Sequence, residues 1–310
     1  MQLSPNKICE YTGHSGSIYA MILSADGRWL FSAGDDGVVA RWDLQQNAPD
    51  GQALLRTERA VYALLQLSED TLLVGTADGT VYRVNIAQRL AERAIKLHTE
   101  PVYGFWHDAA RQRVGIFHAK GRLTFVSEDL QHVFHEAAVA PNHLRCACPA
   151  QEPHTLYIGS SDNRISRYNL QTDTIEQSWE AHGNSVFSLM RHPQHGYLIS
   201  GGRDAYLNVW DVRHESPLLR EAIPAHNFTI NDIQLHSSGE IFVTASRDKT
   251  LKCWDATSFA LLKVIDFARN EAHTHSVNRL RWLPDGTLLS CGDDRRIIRW
   301  QMMEEDKEYE

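Results

Sequence analysis

Sixteen histidines and five cysteines are the side chains of this sequence best suited to hold a metal or to act as nucleophile or base. The densest histidine group is His132-x-x-His135, with His107, His118, His143 and His154 in the same part of the chain. On a strand successive side chains point to opposite faces, so two ligands three residues apart cannot share a face. These histidines are expected at the surface or in loops, holding no metal. The cysteines, Cys9, Cys146, Cys148, Cys253 and Cys291, are odd in number and include no CxxC pair. That pattern fits reduced thiols rather than a disulfide framework or a zinc site. Cys146 and Cys148, two apart, would share one strand face, with no third ligand nearby in the sequence. No phosphate-cradling glycine loop, GxSxG elbow or HExxH helix occurs. The residues therefore imply no cofactor and no enzyme.

Hydrophobic residues make up 43% of the 310-residue chain and charged residues 23%, enough apolar surface to build a core. The formal net charge of -8 opposes a general attraction to phosphate backbones, which clustered Lys and Arg would supply, so nucleic acid is not an expected partner. No run of about 18 apolar residues is present, and the opening MQLSPNKICEY is not a cationic stretch followed by an apolar one. No membrane span and no secretory signal are expected, and the location read from this is cytoplasmic.

A repeated motif positions these residues. DDGVVARWDL, RDAYLNVWDV, RDKTLKCWDA and DDRRIIRWQM each carry a turn Asp followed six residues later by Trp. ADGTVYRVNI, AKGRLTFVSE and SDNRISRYNL are three degenerate copies. The column Trp42, Val84, Val126, Tyr168, Trp210, Trp254 and Trp300 has spacings of 42, 42, 42, 42, 44 and 46. A second apolar column, Ile18, Val61, Val102, Leu144, Val186, Ile230 and Val277, stays in register with it. Between the columns lie alternating runs such as SIYAMIL and WLFSAG, separated by pairs such as Asp26-Gly27 and Asp285-Gly286, which read as short antiparallel strands. IAQRLAERAIKL (86–97) has the composition of a helix, yet its place in the repeat predicts a strand.

With Gly13-His14, Ala181-His182, Ala225-His226 and Ala272-His273 opening units, and Trp-Asp at 42–43, 210–211 and 254–255, the sequence resembles the WD-repeat family over nearly its whole length. The resemblance implies an all-β, seven-bladed β-propeller with four-stranded antiparallel blades over residues 1–303; the charge run EEDKEYE after it, 304–310, reads as an acidic flexible tail. Such a ring removes the exposed first and last sheets that a row of blades would carry. It also implies closure by residues 6–12, pairing as an outer strand beside Ile297 to Gln301. In similar proteins each complete blade carries a hydrogen-bonded set, and four such sets are implied here. They are His14, Ser32, Asp36 and Trp42; His182, Ser200, Asp204 and Trp210; His226, Thr244, Asp248 and Trp254; and His273, Ser290, Asp294 and Trp300. A Ser-His-Asp triad needs an accessible nucleophile; four repeated copies with a Trp attached read as scaffold. Units 2, 3 and 4 keep only parts of the set, among them Asp78, His98 and Asp162, with Lys120 at the Asp position of the third, which puts their regularity in question.

The resemblance further implies two rings on the top face around the central channel. The first is Tyr19, Tyr62, Tyr103, Arg145, Phe187, Asn231 and Asn278. The second is Asp35, Ala77, Ala119, Ser161, Arg203, Arg247 and Asp293. Tyr and Arg are habitual anchors of interfaces. The expected function is a non-catalytic scaffold, monomeric on its own, that binds a protein or peptide on this rim. The alternative is a propeller-fold hydrolase or metal-dependent enzyme with its site in the channel. Two ligands fit the rim: a peptide with an apolar anchor and an acidic flank, or a cationic side chain held by the tyrosines beside Asp35 through cation–π attraction.

Overall fold

Period-two alternation buries one side of each strand and turn residues cut the strands short, so the chain folds into small sheets that must cover one another. The computed structural model describes residues 3–46 and 50–304. It contains seven four-stranded antiparallel sheets, six of them built from consecutive strands. Their innermost strands are Ile18–Leu23, Val61–Ser68, Val102–Asp108, Leu144–Pro149, Val186–His192, Ile230–Leu235 and Val277–Trp282, which define blades 1 to 7. Each innermost strand touches the next, and that of blade 7 touches that of blade 1, which closes the ring.

The closing strand, Leu3–Tyr11, is the fourth strand of blade 7 and pairs antiparallel with Ile297–Glu304, with Asn6 opposite Gln301 and Tyr11 opposite Ile297. Of the expected strand 6–12, residues 6–11 lie in the pairing, which stops at Tyr11 and extends back to Leu3. Glu304 ends that strand, and residues 305–310 of the expected tail lie outside the described residues. Residues 90–96 form the outer strand of blade 2, so tertiary pairing overrides the helical composition of 86–97. No helix among the described residues is long and apolar enough to cross a membrane.

The two columns are the core. Ile18, Val61, Val102, Leu144, Val186, Ile230 and Val277 are each fully buried between blades, as are Val84, Val126, Tyr168 and Trp300 of the other column. The residue after the turn Asp position is left-handed in every blade, with φ of 68° at Gly37, 86° at Gly79, 70° at Gly121, 71° at Asn163, 69° at Ala205, 75° at Lys249 and 66° at Arg295. Gly and Asn adopt this conformation at little cost, which is why they recur there.

Blades 2 to 4 each keep four strands, with substituted polar contacts, and blade 3 adds two 3-10 turns, Ala109–Arg111 and Ala119–Gly121. In blade 2 Asp78 accepts from Thr76 Oγ1 at 2.7 Å and Lys96 Nζ at 2.9 Å. In blade 3 Glu136 replaces the missing turn Asp, taking His98 Nε2 at 2.6 Å and Thr124 Oγ1 at 3.0 Å. His118 corrects the surface expectation made for the histidines. It is 1% exposed and edge-on to His98, because the strand Arg113–His118 that carries it is buried on both faces. Burial pushes its pKa down to about 4, so it is neutral at physiological pH. Cys146 and Cys148 pack into one cluster between blades 4 and 5, and burial raises both thiols, Cys148 to about 12. That holds them as inert thiols.

Candidate functional site

One irregularity recurs in all seven innermost strands. The pairing register slips between Ile18 and Ala20, Val61 and Ala63, Val102 and Gly104, Leu144 and Cys146, Val186 and Ser188, Ile230 and Asp232, and Val277 and Arg279. The residue skipped each time is the member of the first ring: Tyr19, Tyr62, Tyr103, Arg145, Phe187, Asn231 or Asn278. A bulge leaves its extra residue unpaired and re-aims the side chain, here toward the channel mouth. The second ring is tied to the first by a repeated backbone bond. The N–H groups of Asp35, Ala77, Ala119, Ser161, Arg203, Arg247 and Asp293 donate, at 2.8 to 3.0 Å, to the carbonyl just before the buried column residue of the same blade. Because backbone makes this bond, the degenerate blades keep it.

All seven residues of the first ring, joined by Arg279, line one open cavity of about 340 Å³ at the mouth. Tyr19, Tyr62 and Tyr103 form a row, with ring centroids 5.2 and 5.8 Å apart, and His143 continues it at 5.6 Å from Tyr103. The Arg145 guanidinium lies 4.4 Å from the Tyr103 ring centroid and 5.1 Å from that of Phe187, and its Nε donates to Ser161 Oγ at 2.8 Å. Asn231 Nδ2 donates to the Val277 carbonyl at 2.8 Å, and Asn278 Nδ2 to the Ile18 carbonyl at 2.9 Å, so these two also stitch blades 6 to 7 and 7 to 1. Of the second ring, Asp35, Arg203 and Arg247 are exposed. Asp293 accepts from Asn278 Nδ2 at 2.8 Å, and Ala119 is buried. Burial raises the Tyr19 and Tyr62 phenols, and nearby Asp35 adds to both shifts.

Below the mouth the channel is lined by Asp232, Gln234, Arg279 and Arg281 among apolar and small side chains. The Asp232 carboxylate is fully engaged. It accepts from the Leu280 N–H at 2.9 Å, Arg281 Nη1 at 3.2 Å, the Ile233 N–H at 2.9 Å and Gln234 Nε2 at 3.2 Å. Arg279 Nη1 reaches only backbone carbonyls, those of Asn231 at 3.2 Å and Asn278 at 3.4 Å. The polar alternation of N-D-I-Q (231–234) and N-R-L-R (278–281) on two innermost strands is the sequence signal for these channel residues, and the motif reading passed over it.

In four blades a His, a hydroxyl, an Asp and a Trp are joined by hydrogen bonds. His Nδ1 sits 2.9 Å from Asp36, 3.0 Å from Asp204, 2.9 Å from Asp248 and 2.9 Å from Asp294 in turn. The same imidazoles meet Ser32, Ser200, Thr244 and Ser290 through Nε2 at 2.8, 2.8, 2.7 and 2.8 Å. Each hydroxyl also accepts a tryptophan indole N–H, from Trp42 at 2.8, Trp210 at 3.0, Trp254 at 2.9 and Trp300 at 2.8 Å. Burial lowers the His226 pKa, so neutral His226 donates through Nδ1 to Asp248 and accepts the Thr244 hydroxyl proton at Nε2. All four hydroxyls are fully buried, out of reach of any substrate. Asp248→Ala is expected to cost about 1–3 kcal/mol, because His226 and the Asn227 N–H lose a buried acceptor. An unchanged thermal midpoint would contradict that role.

Comparison with known proteins agrees with the geometry. The family description "WD domain, G-beta repeat" matches residues 5–43, 173–211, 217–255 and 266–301. The solved WD40 β-propeller domain of Doa1 superposes with a TM-score of 0.81 over 99% of both chains, at 15% identity. The chain is a WD-repeat β-propeller. Within this family it is similar to the U3 small nucleolar RNA-associated protein 15 homolog of Gallus gallus, at 28% identity over 82% of this chain and 48% of that protein. The Xenopus tropicalis homolog is 26% identical over 73% of this chain and 42% of its own length. Pre-mRNA-processing factor 19 of Mus musculus is 22% identical over 56% of this chain and 34% of its own length. The propeller thus spans less than half the length of these relatives. Their names, with a small nucleolar RNA among them, overturn the cytoplasmic location read from the sequence. Composition bears on membranes and secretion; it carries no mark separating cytoplasm from nucleus. The same names leave the exclusion of nucleic acid without support.

Proposed function

We propose that this WD-repeat propeller is a non-catalytic platform that holds a protein partner at the mouth of its channel. The observation that carries the reading is the repeated bulge, which turns seven successive side chains, four of them aromatic, into one half-buried cavity. Large rigid aromatics offer contact area at small entropic cost, which suits partner capture. The enzyme alternative is less well supported. The one carboxylate lining the channel among the described residues, Asp232, has its lone pairs taken by four donors, which leaves it poorly placed as a base or metal ligand. Similarity to proteins named for RNA association makes a protein–RNA assembly the setting in which we would seek the partner.

The test is affinity capture from the source cells with the intact propeller, with Tyr62→Ala/Tyr103→Ala, and with a control variant on the outer strand of blade 5, Leu218→Ser/Leu219→Ser. Nuclease treatment should leave protein contacts in place. Partners retained by the outer-strand variant and lost by the double tyrosine variant, with melting unchanged, are the expected result. Capture that survives loss of both tyrosines would refute the reading.

A further inference from the structure

We infer that the segment gripped at the channel mouth is acidic: an apolar side chain rests on the aromatic wall and a carboxylate beside it sits between Arg145 and Arg279. This deepens the platform reading and rests on it. Both guanidiniums line the mouth cavity and the channel below it, from blades 4 and 7 on opposite sides of the ring. Neither forms an ion pair among the described residues; Arg145 donates to a hydroxyl and Arg279 to backbone carbonyls. Arg203 and Arg247, exposed on the rim of blades 5 and 6, likewise have no carboxylate partner among the described residues. Asp232, the single carboxylate of the channel lining among the described residues, is spent on Arg281, Gln234 and two backbone N–H groups. The wall of the cavity therefore carries uncompensated positive charge, in a half-enclosed place where charge is weakly screened.

The rival ligand, a cationic side chain on the tyrosines, meets a specific obstacle. The faces of Tyr103 and Phe187 are already covered by the protein's own Arg145. An incoming ammonium is left with Tyr19 and Tyr62 near Asp35, and both Arg145 and Arg279 on the same cavity repel it. The Asp35 and Asp293 carboxylates lie on the blade 1 and blade 7 edge, where they would repel an acidic chain and so set its direction across the mouth. An entering carboxylate gains charge-assisted bonds from guanidiniums that lack an anionic partner.

A random twelve-residue peptide library displayed on phage, selected against the intact propeller, tests this. Enriched peptides should carry Asp or Glu within a few positions of an aromatic or leucine residue. As synthetic peptides they should bind Arg279→Gln and Arg145→Gln about tenfold more weakly or worse. Replacing their acids by Asn and Gln should cause a similar loss. Arg279→Glu should shift preference toward peptides with Lys in place of the acid, an outcome that a purely structural role for Arg279 would not produce. Enriched peptides that are neutral or basic, yet still need Tyr62 and Tyr103, would overturn the charge assignment while leaving the platform reading intact. Peptides indifferent to the Tyr62→Ala/Tyr103→Ala change would sink both. A uridine decamer that outcompetes the acidic peptides and depends on Arg279 would replace the peptide with nucleic acid as the occupant.

Discussion

A chain lacking residues 1–11 is expected to self-associate more than the intact chain does. The deletion removes the strand Leu3–Tyr11, which pairs along the whole of Ile297–Glu304, together with two side chains buried to 2% and 1% exposure, Leu3 and Tyr11. It also removes Lys7 and Glu10, which contact Glu271 and Arg296 at 2.9 and 2.8 Å across the closing blade. Blade 7 would be left with three strands and a bare edge rich in Ile, Trp and Met, a ready template for pairing between molecules. Size-exclusion chromatography should find larger species than for the intact chain, and adding a peptide of residues 3–11 should reverse the shift. A truncated chain that elutes like the intact one and melts at the parent temperature would show that this strand is dispensable for closure.

The second large effect is expected at Trp42. Its indole is 1% exposed, meets Tyr11 of blade 7 edge-on at 5.9 Å between ring centroids and donates to Ser32 Oγ at 2.8 Å. Gly51 lies so close against it that an added Cβ would come within 2.6 Å of the ring. Trp42→Ala should cost about 3–5 kcal/mol, the sum of lost burial and an incompletely collapsed cavity. Trp42→Phe keeps much of the apolar contact and loses the N–H donor to Ser32, so it should recover a large part of that loss. Urea denaturation of both variants measures the two contributions. Equal losses would mean that the indole N–H, rather than packing, dominates.

The architecture was legible because two columns of residues obey one period, and burial between blades demands it at each turn of the ring. Trp300 and Val84 occupy the same place although one is an indole and the other a branched aliphatic side chain, since what the site requires is an apolar body. The helix-like run 86–97 was correctly overridden for the same reason: the outer position in blade 2 supplies ladder bonds to whichever residues arrive there. The rim was legible only through resemblance to other repeats. A bulge inserts one residue without any particular side chain to mark it, and Tyr19 and Asn278 share the position with nothing in common but backbone. Arg279 escaped for a different reason. In its column most blades carry Ala, Gly, Cys or Ser, so the charge that matters is an exception to the repeat rather than part of it. His118 escaped because a strand covered on both faces buries polar and apolar side chains alike, and a lone histidine in it has no spacing to give it away.

Pairing the beginning of the described chain with its end also sets a timetable for synthesis. Leu3–Tyr11 is made before all the strands of blades 1 to 6, and its partner Ile297–Glu304 only after them. At about 5–20 residues per second, the wait is on the order of tens of seconds. During that interval six blades can assemble as a row while the waiting strand, whose apolar residues have no home, is a natural client for a chaperone.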